Sequence, residues 1–220
     1  KFQIHKNNLD TEVLNQQSQH WEKNFSSKPE MFGLEPSEPA KKSLKLFQEK
    51  NINKIVELGA GLGRDTIFFA KNSIHVTALD YSSSGIKVIN EKAEKQNLSK
   101  NISTKIFDIR KKLPFEDESV EACFSHMLYC MALTSLEIES LNNEIFRILK
   151  PGGINIYTVR NHSDGDFQNG KFIDKNIYQN DGFIVHFFSI KIINELSHGY
   201  EILKIKDFDE GNFPRKLFLV

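Results

Sequence analysis

Between Ile52 and Arg160 the chain repeats one pattern: a short aliphatic run, a turn, an amphipathic stretch, then another aliphatic run. The runs "INKIVEL" (52–58), "IHVTALD" (74–80), "ISTKIFD" (102–108), "SVEACFSH" (119–126) and "INIYTVR" (154–160) read as five strands. Between them, "GRDTIFFAK" (63–71) reads as a helix burying Ile67, Phe68 and Ala70. "SSSGIKVINEKAEKQNL" (82–98) has serine caps and Ile86, Ile89 and Ala93 at helical spacing. Thr134 and Glu137 form a capping box that opens a helix carrying Leu141, Ile145, Ile148 and Leu149. That helix stops at Lys150-Pro151-Gly152-Gly153. Alternation of this kind specifies an α/β fold: a parallel sheet with helices on both faces.

The ends break the pattern. Residues 1–50 read as a helical cap belonging to the same domain as residues 51–220: "TEVLNQQSQHWEKNF", a proline turn "EPSEP", then "AKKSLKLFQEK". Residues 161–182 are polar, contain glycine and lack a clear period, which predicts a structureless lid or binding loop. Ser189 caps a short helix closing at Gly199, and "YEILKIKDF" with "RKLFLV" predicts an antiparallel hairpin at one sheet edge.

Composition narrows the function. The 220 residues are 39% hydrophobic and 26% charged, ordinary values for a chain building one sizeable core. Formal net charge is zero, so no whole-protein field recruits nucleic acid or an anionic membrane. There is no apolar run long enough for a membrane span, and "KFQIHKNNLD" lacks the apolar centre of a signal peptide. Cys123 and Cys130 are too few for a disulfide framework, and the cysteines and histidines show no zinc-ligand spacing. These readings predict a soluble cytoplasmic monomer or homodimer with no metal, nucleic-acid or membrane partner.

The stretch "IVELGAGLGRD" (55–65) carries the chemistry. A dinucleotide fingerprint is G-x-G-x-x-G. Gly59 and Gly61 fit it, but its third glycine falls on Arg64, and the actual spacing is Gly59-x-Gly61-x-Gly63, with Glu57 ahead. Asp80 ends the second strand, Asp108 the third with Ile109 beside it, and Ser125 and His126 the fourth. Ligands of open α/β sheets bind outside the carboxyl ends of the strands. Three carboxylates there would repel a phosphate. They suit a ligand with a ribose, an amino-substituted purine and net positive charge, features that S-adenosylmethionine combines.

"VELGAGLGRD", "ALDYS", "IFDI", "LPFEDESVEACFSHMLYC" and "EIFRILKPGG" together resemble class I S-adenosylmethionine-dependent methyltransferases. The resemblance implies a Rossmann-like, seven-stranded, mostly parallel sheet of order 3-2-1-4-5-7-6 whose last strand is antiparallel. It implies that Gly59, Ala60, Gly61 and Gly63 admit the methionine moiety, with Glu57 at its ammonium and Arg64 at its carboxylate. Asp80 would hold the ribose hydroxyls, Tyr81 and Ile109 the adenine ring, and Asp108 the adenine amino group, with Ser125 and His126 alongside. Trp21 has two readings: an aromatic lid on the sulfonium, or a helix face packed on the core. On the acceptor side stand His126, Tyr129, Arg160 and His186, with His162 a further candidate. A methyl relay through Cys130 would need a lowered thiol pKa that nothing nearby supplies. Small size, "GAGLGRD" and a tryptophan-bearing cap resemble the tellurite-resistance and thiopurine type, which implies a small polarisable acceptor such as a chalcogen oxyanion or thiol. The alternatives are an RNA or protein methyltransferase, or a non-catalytic cofactor-binding regulator.

Overall fold

A computed structural model describes residues 11–211 and 215–220. In chain order the elements are α1 (Thr11–Ser27), α2 (Glu38–Glu49), β1 (Lys54–Leu58), α3 (Arg64–Lys71), β2 (His75–Asp80), α4 (Ser83–Lys95), β3 (Ile102–Ile106) and β4 (Val120–Ser125). They continue with α5 (Ser135–Ile148), β5 (Leu149–Arg160), β6 (Lys171–Asp174), β7 (Ile177–Asn180), β8 (Phe183–His186), α6 (Ile190–Leu196), β9 (Lys206–Glu210) and β10 (Arg215–Leu219). The main sheet has seven strands in the order β3-β2-β1-β4-β5-β10-β9. That is the order the family resemblance implies, and β10 runs antiparallel to both β5 and β9. Residues 1–10, read above as no signal peptide and as the start of the cap, and residues 212–214 of the last hairpin lie outside the described residues. Among the described residues no helix is long and apolar enough to cross a membrane.

The chain falls into two compact units, one of residues 18–126 and 144–156, the other of residues up to 17, 127–143 and 157–220. In the first, β1 pairs in parallel with β2 and β4, and β2 with β3. Ile55, Val56 and Leu58 are buried, as are Val76, Ala78 and Leu79. A sheet covered on both faces draws on such largely apolar runs, here interrupted only by Glu57 and Thr77. Phe69 of α3 lies 5.7 Å from Phe47 of α2 and packs edge-on to Phe124 of β4 at 5.0 Å. Ile67 and Ala70 are buried as expected, but Phe69, not Phe68, is the buried ring of α3, and Phe68 is half-exposed. Ser37 caps α2. The carboxylate of Asp65 accepts both the Ser37 amide (2.8 Å) and hydroxyl (2.7 Å), tying α2 to the start of α3.

In the second unit the capping box forms: the Thr134 amide donates to Glu137 and the Glu137 amide to Thr134 Oγ1. The segment expected to be structureless, 161–182, instead contains β6 and β7, which pair with β8 in a three-stranded antiparallel sheet. Two tight turns make this fold-back. Asn180 faces Phe183 across Asp181-Gly182, whose φ values of 48° and 84° are both left-handed, as a type I′ hairpin turn requires. Asn176 (φ 64°) serves the β6–β7 turn. Two further boundaries shift. β5 begins at Leu149 rather than Ile154, and β9 begins at Lys206, leaving Ile202 and Leu203 exposed.

Candidate cofactor site and acceptor-side residues

Strand register brings the sequence-predicted acids to one rim of the first unit. Leu58 faces Leu79, Asp80 faces Ile106, and Glu57 faces Phe124, so the carboxyl ends of β1, β2, β3 and β4 lie side by side. The glycine turn leaves β1 with positive φ at Gly59, Gly61 and Gly63. At Gly63, the N-cap of α3, a β-carbon would meet Ile89 Cγ1 at 2.5 Å. Only glycine fits where the turn leans on α4 in this conformation.

The amides of this turn point inward. Gly59 and Ala60 donate to the Leu79 carbonyl, Gly63 to that of Ala60, and Gly61 to Asp80 Oδ2 at 2.8 Å. A pyrophosphate cradle would aim such amides at the ligand.

Glu57 is buried, with Thr66 donating to its Oε2 at 2.5 Å. Burial, with the charge of nearby Asp65, pushes its carboxyl up to about 8, against the lowering effect of the Thr66 hydrogen bond. Asp80 is buried too and accepts the amides of Gly61 and Ser82 at 2.8 Å each. Burial raises its pKa, with those two hydrogen bonds opposing. Ser82, not Asp80, is the side-chain cap of α4, accepting from the Gly85 amide at 2.9 Å. Asp108 is half-buried and accepts from Nε and Nη2 of Arg110 (2.7–3.1 Å). Burial raises its carboxyl, yet the Arg110 hydrogen bonds outweigh this and hold it below its usual range. Ile109 is buried, Tyr81 half-buried, and burial raises the Tyr81 phenol. Arg64 donates to the Phe32 carbonyl at 3.3 Å and lies 3.6 Å from Asp65.

Trp21, Phe25 and Phe32 form a three-ring cluster with centroids 5.3–6.4 Å apart. Phe25 Cζ lies 3.5 Å from where a Gly61 β-carbon would sit. Phe25 is buried in this cluster, and Trp21 is half-exposed.

The rim also contains a polar group with no protein use. Ser125 Oγ, at the end of β4, is buried without a hydrogen-bond partner. Buried polar groups are nearly always paired, so this hydroxyl is a donor left over by the fold at the carboxyl end of β4. A cationic ligand with hydroxyl and amine donors fits this set.

The acceptor-side candidates fare differently. His126, at the end of β4, is half-buried. The other three sit in the second unit and are engaged by it. Tyr129 is fully buried, donates to Asn142 Oδ1 at 3.1 Å and stacks on Tyr157 at 4.5 Å. Arg160, read from the sequence as a substrate-positioning cation, is buried between Asp164 and Asp166, with Phe187 5.2 Å away. His186 is buried with Nδ1 3.2 Å from the Leu133 carbonyl, and burial pushes its imidazole down to about 4. Its ring is neutral and a weak base. His162 stacks on Phe167 at 4.2 Å. Burial pushes the Cys130 thiol up to about 11, so it is not a thiolate near neutrality.

Residues 55–153 match a family described as a methyltransferase domain. Over those residues the chain carries a methyltransferase domain. It is similar to phosphoethanolamine N-methyltransferase 1 of Triticum aestivum, 35% identical over 169 residues, covering 75% of this chain and 30% of the wheat protein. It thus spans less than a third of that relative's length. Among solved structures it resembles the 1,6-didemethyltoxoflavin-N1-methyltransferase of Burkholderia thailandensis, solved with its substrate and S-adenosylhomocysteine, at TM-score 0.74 and 14% identity, covering 95% of this chain and 87% of that one. It also resembles TehB from Haemophilus influenzae, at TM-score 0.65 and 21% identity, covering 90% and 65%. At these identities the structural likeness shows the fold.

The methyltransferase domain contains two features that sequence reasoning missed. Thr66 holds Glu57, and Glu22 of α1 accepts from Ser82 Oγ (2.6 Å), Ser83 Oγ (3.2 Å), and the Ser84 amide and hydroxyl. The only signal for Glu22 was three consecutive serines at a helix start, more donors than one cap uses.

Proposed function

We propose that this chain binds S-adenosylmethionine at the carboxyl ends of β1–β4 and transfers its methyl group to a small-molecule nucleophile, with an amine nitrogen as the acceptor. The observation that carries the cofactor half is the rim itself: two buried carboxyls and an orphan hydroxyl beside a glycine turn whose amides face inward. In this reading Glu57 ionises against the methionine ammonium, and Arg64 takes its carboxylate. Asp80 accepts from the ribose hydroxyls, Asp108 from the adenine amino group, and Tyr81 and Ile109 flank the ring. The cofactor supplies an electrophilic methyl on a sulfonium. The chain's own task is to hold the nucleophile in line with it at near-attack distance and to exclude water.

Two observations favour an amine over an anionic chalcogen acceptor. Arg160 has its charge matched by two aspartates, and His186 is neutral, so neither offers a free positive charge to an oxyanion, chalcogenate or phosphate, and an amine without a phosphate suits them best. The wheat relative is named for an amine substrate. Of the acceptor-side residues we keep His126, at the end of β4, to take the proton an ammonium must lose before it has a lone pair to donate.

The test is transfer of radiolabelled methyl to phosphoethanolamine, ethanolamine, small thiols and selenite in parallel, with an RNA and protein fraction as a further acceptor. Label in an amine supports the proposal, and label in a thiol or oxyanion moves the acceptor. Label in macromolecules overturns a small-molecule acceptor, and binding without transfer favours a regulator.

A further inference from the structure

We propose that Glu22 is a positioning residue for the cofactor, latching the turn of α1 that carries Trp21 and Phe25 onto the cleft and setting how fast the cofactor leaves. The inference rests on the cofactor reading above. One helical turn, residues 21–25, touches both loops that frame the rim. On one side Phe25 packs against Gly61 and Gly85. On the other, Glu22 gathers donors from Ser82, Ser83 and Ser84, and the Ser82 amide is itself bound to Asp80 Oδ1.

A capping role alone does not account for this. Ser82 already caps α4 through the Gly85 amide, as serine at this position does in other helices. Glu22 comes from 60 positions earlier in the chain and adds a second acceptor at the same helix start. Burial opposes its charge, but the serine hydrogen bonds outweigh this and hold its carboxyl below the usual range. An ionised carboxylate at a helix N-terminus is favoured electrostatically, so the contact is made with charge in place. The same Asp80–Ser82 turn is therefore gripped by the α1 latch and, in the cofactor reading, by the ribose. Opening the cleft breaks the serine set, and its strength enters the dissociation rate.

The test uses the whole chain and its single tryptophan, Trp21, within the latching turn. S-adenosylhomocysteine is bound and then displaced by excess S-adenosylmethionine in a stopped-flow instrument. Trp21 emission is followed, and a filter-binding chase of labelled S-adenosylhomocysteine serves as a second readout. Glu22→Gln removes the charge while keeping the side-chain length, and is expected to speed release about tenfold, the loss of charge-assisted hydrogen bonds. Ser84→Ala removes contacts from the other side and is expected to speed release about threefold, half that effect in free energy. Release rates unchanged in both variants, whatever their melting temperatures, overturn the latch. Binding lost in Asp80→Ala but released at the normal rate in Glu22→Gln overturns the latch alone. No binding by the unaltered chain overturns the latch and the cofactor reading together.

Discussion

In the proposed cofactor reading, Glu57 makes binding a proton-release reaction. Its carboxyl sits at about 8 because burial and the neighbouring Asp65 charge disfavour ionisation. A cationic ligand beside it needs the ionised form, so below pH 8 binding must expel a proton. The association constant then rises about tenfold per pH unit up to about 8 and levels off above it, a slope worth about 1.4 kcal/mol per unit. Isothermal titration of S-adenosylhomocysteine at pH 6 and 7, in buffers of different ionisation enthalpy, should count about one proton released per site. Stability moves the other way. A carboxyl raised in the folded state contributes stability that is full below the unfolded pKa and is lost as pH rises through about 8. Glu57→Gln, which retains an acceptor for Thr66, should flatten this loss, raising the melting temperature at pH 8 more than at pH 5, while weakening binding and removing its pH slope. Binding of unchanged affinity between pH 6 and 8 with no proton release would show that Glu57 does not ionise on binding.

Other consequences are equally open to measurement. Breaking the Arg160–Asp164 pair with Asp164→Asn should destabilise the fold by about 3–5 kcal/mol in denaturant titrations, as loss of one partner of a buried ion pair does. The Asp164 carboxyl is held below its usual range by the Arg160 hydrogen bonds despite burial, so this contribution is present near neutrality and is lost as pH falls through that lowered value. Tyr129→Phe should lose about 1 kcal/mol of stability with its Asn142 hydrogen bond and leave turnover within about twofold, since the hydroxyl is fully engaged in the core. Gly63→Ala should lower stability by at least about 2 kcal/mol, because its β-carbon falls on Ile89 Cγ1 at a positive φ, and Ile89→Ala in the same chain should restore part of the loss. Cys130→Ala should leave methyl transfer intact, as a thiol pushed up to about 11 carries no relay.

The main sheet was legible because each of its first five strands has its own aliphatic run bounded by turn residues, and because the carboxyl-end acids follow those runs directly. Glu57, Asp80 and Ser125 could be placed at the rim from strand ends alone. Residues 161–182 were misread because their strands are only four residues long and half-polar, too short for an alternation to register. The signal was the turn: Asp181-Gly182 between "IYQN" and "FIVH" is a hairpin dipeptide. The roles of Arg160, Tyr129 and His186 were not legible at all, since their partners Asp166, Asn142 and Leu133 come together only in the folded second unit. Residue type and position at a strand end suggested chemistry. Burial and existing hydrogen bonds decided that these groups are already in use. Glu22 is the converse case, an ordinary surface-type residue made significant by serines 60 positions away.

In the proposed reading the acid-lined rim holds a nucleoside that carries an ammonium, and not a dinucleotide. The most direct measurement is calorimetric titration of the unaltered chain and of Asp80→Ala, checked for native circular dichroism, with S-adenosylmethionine, S-adenosylhomocysteine and NAD. Both sulfur nucleosides are expected to bind saturably, with binding lost in Asp80→Ala, and NAD is not expected to bind. Binding of NAD, or sulfur-nucleoside binding indifferent to Asp80, would contradict that reading.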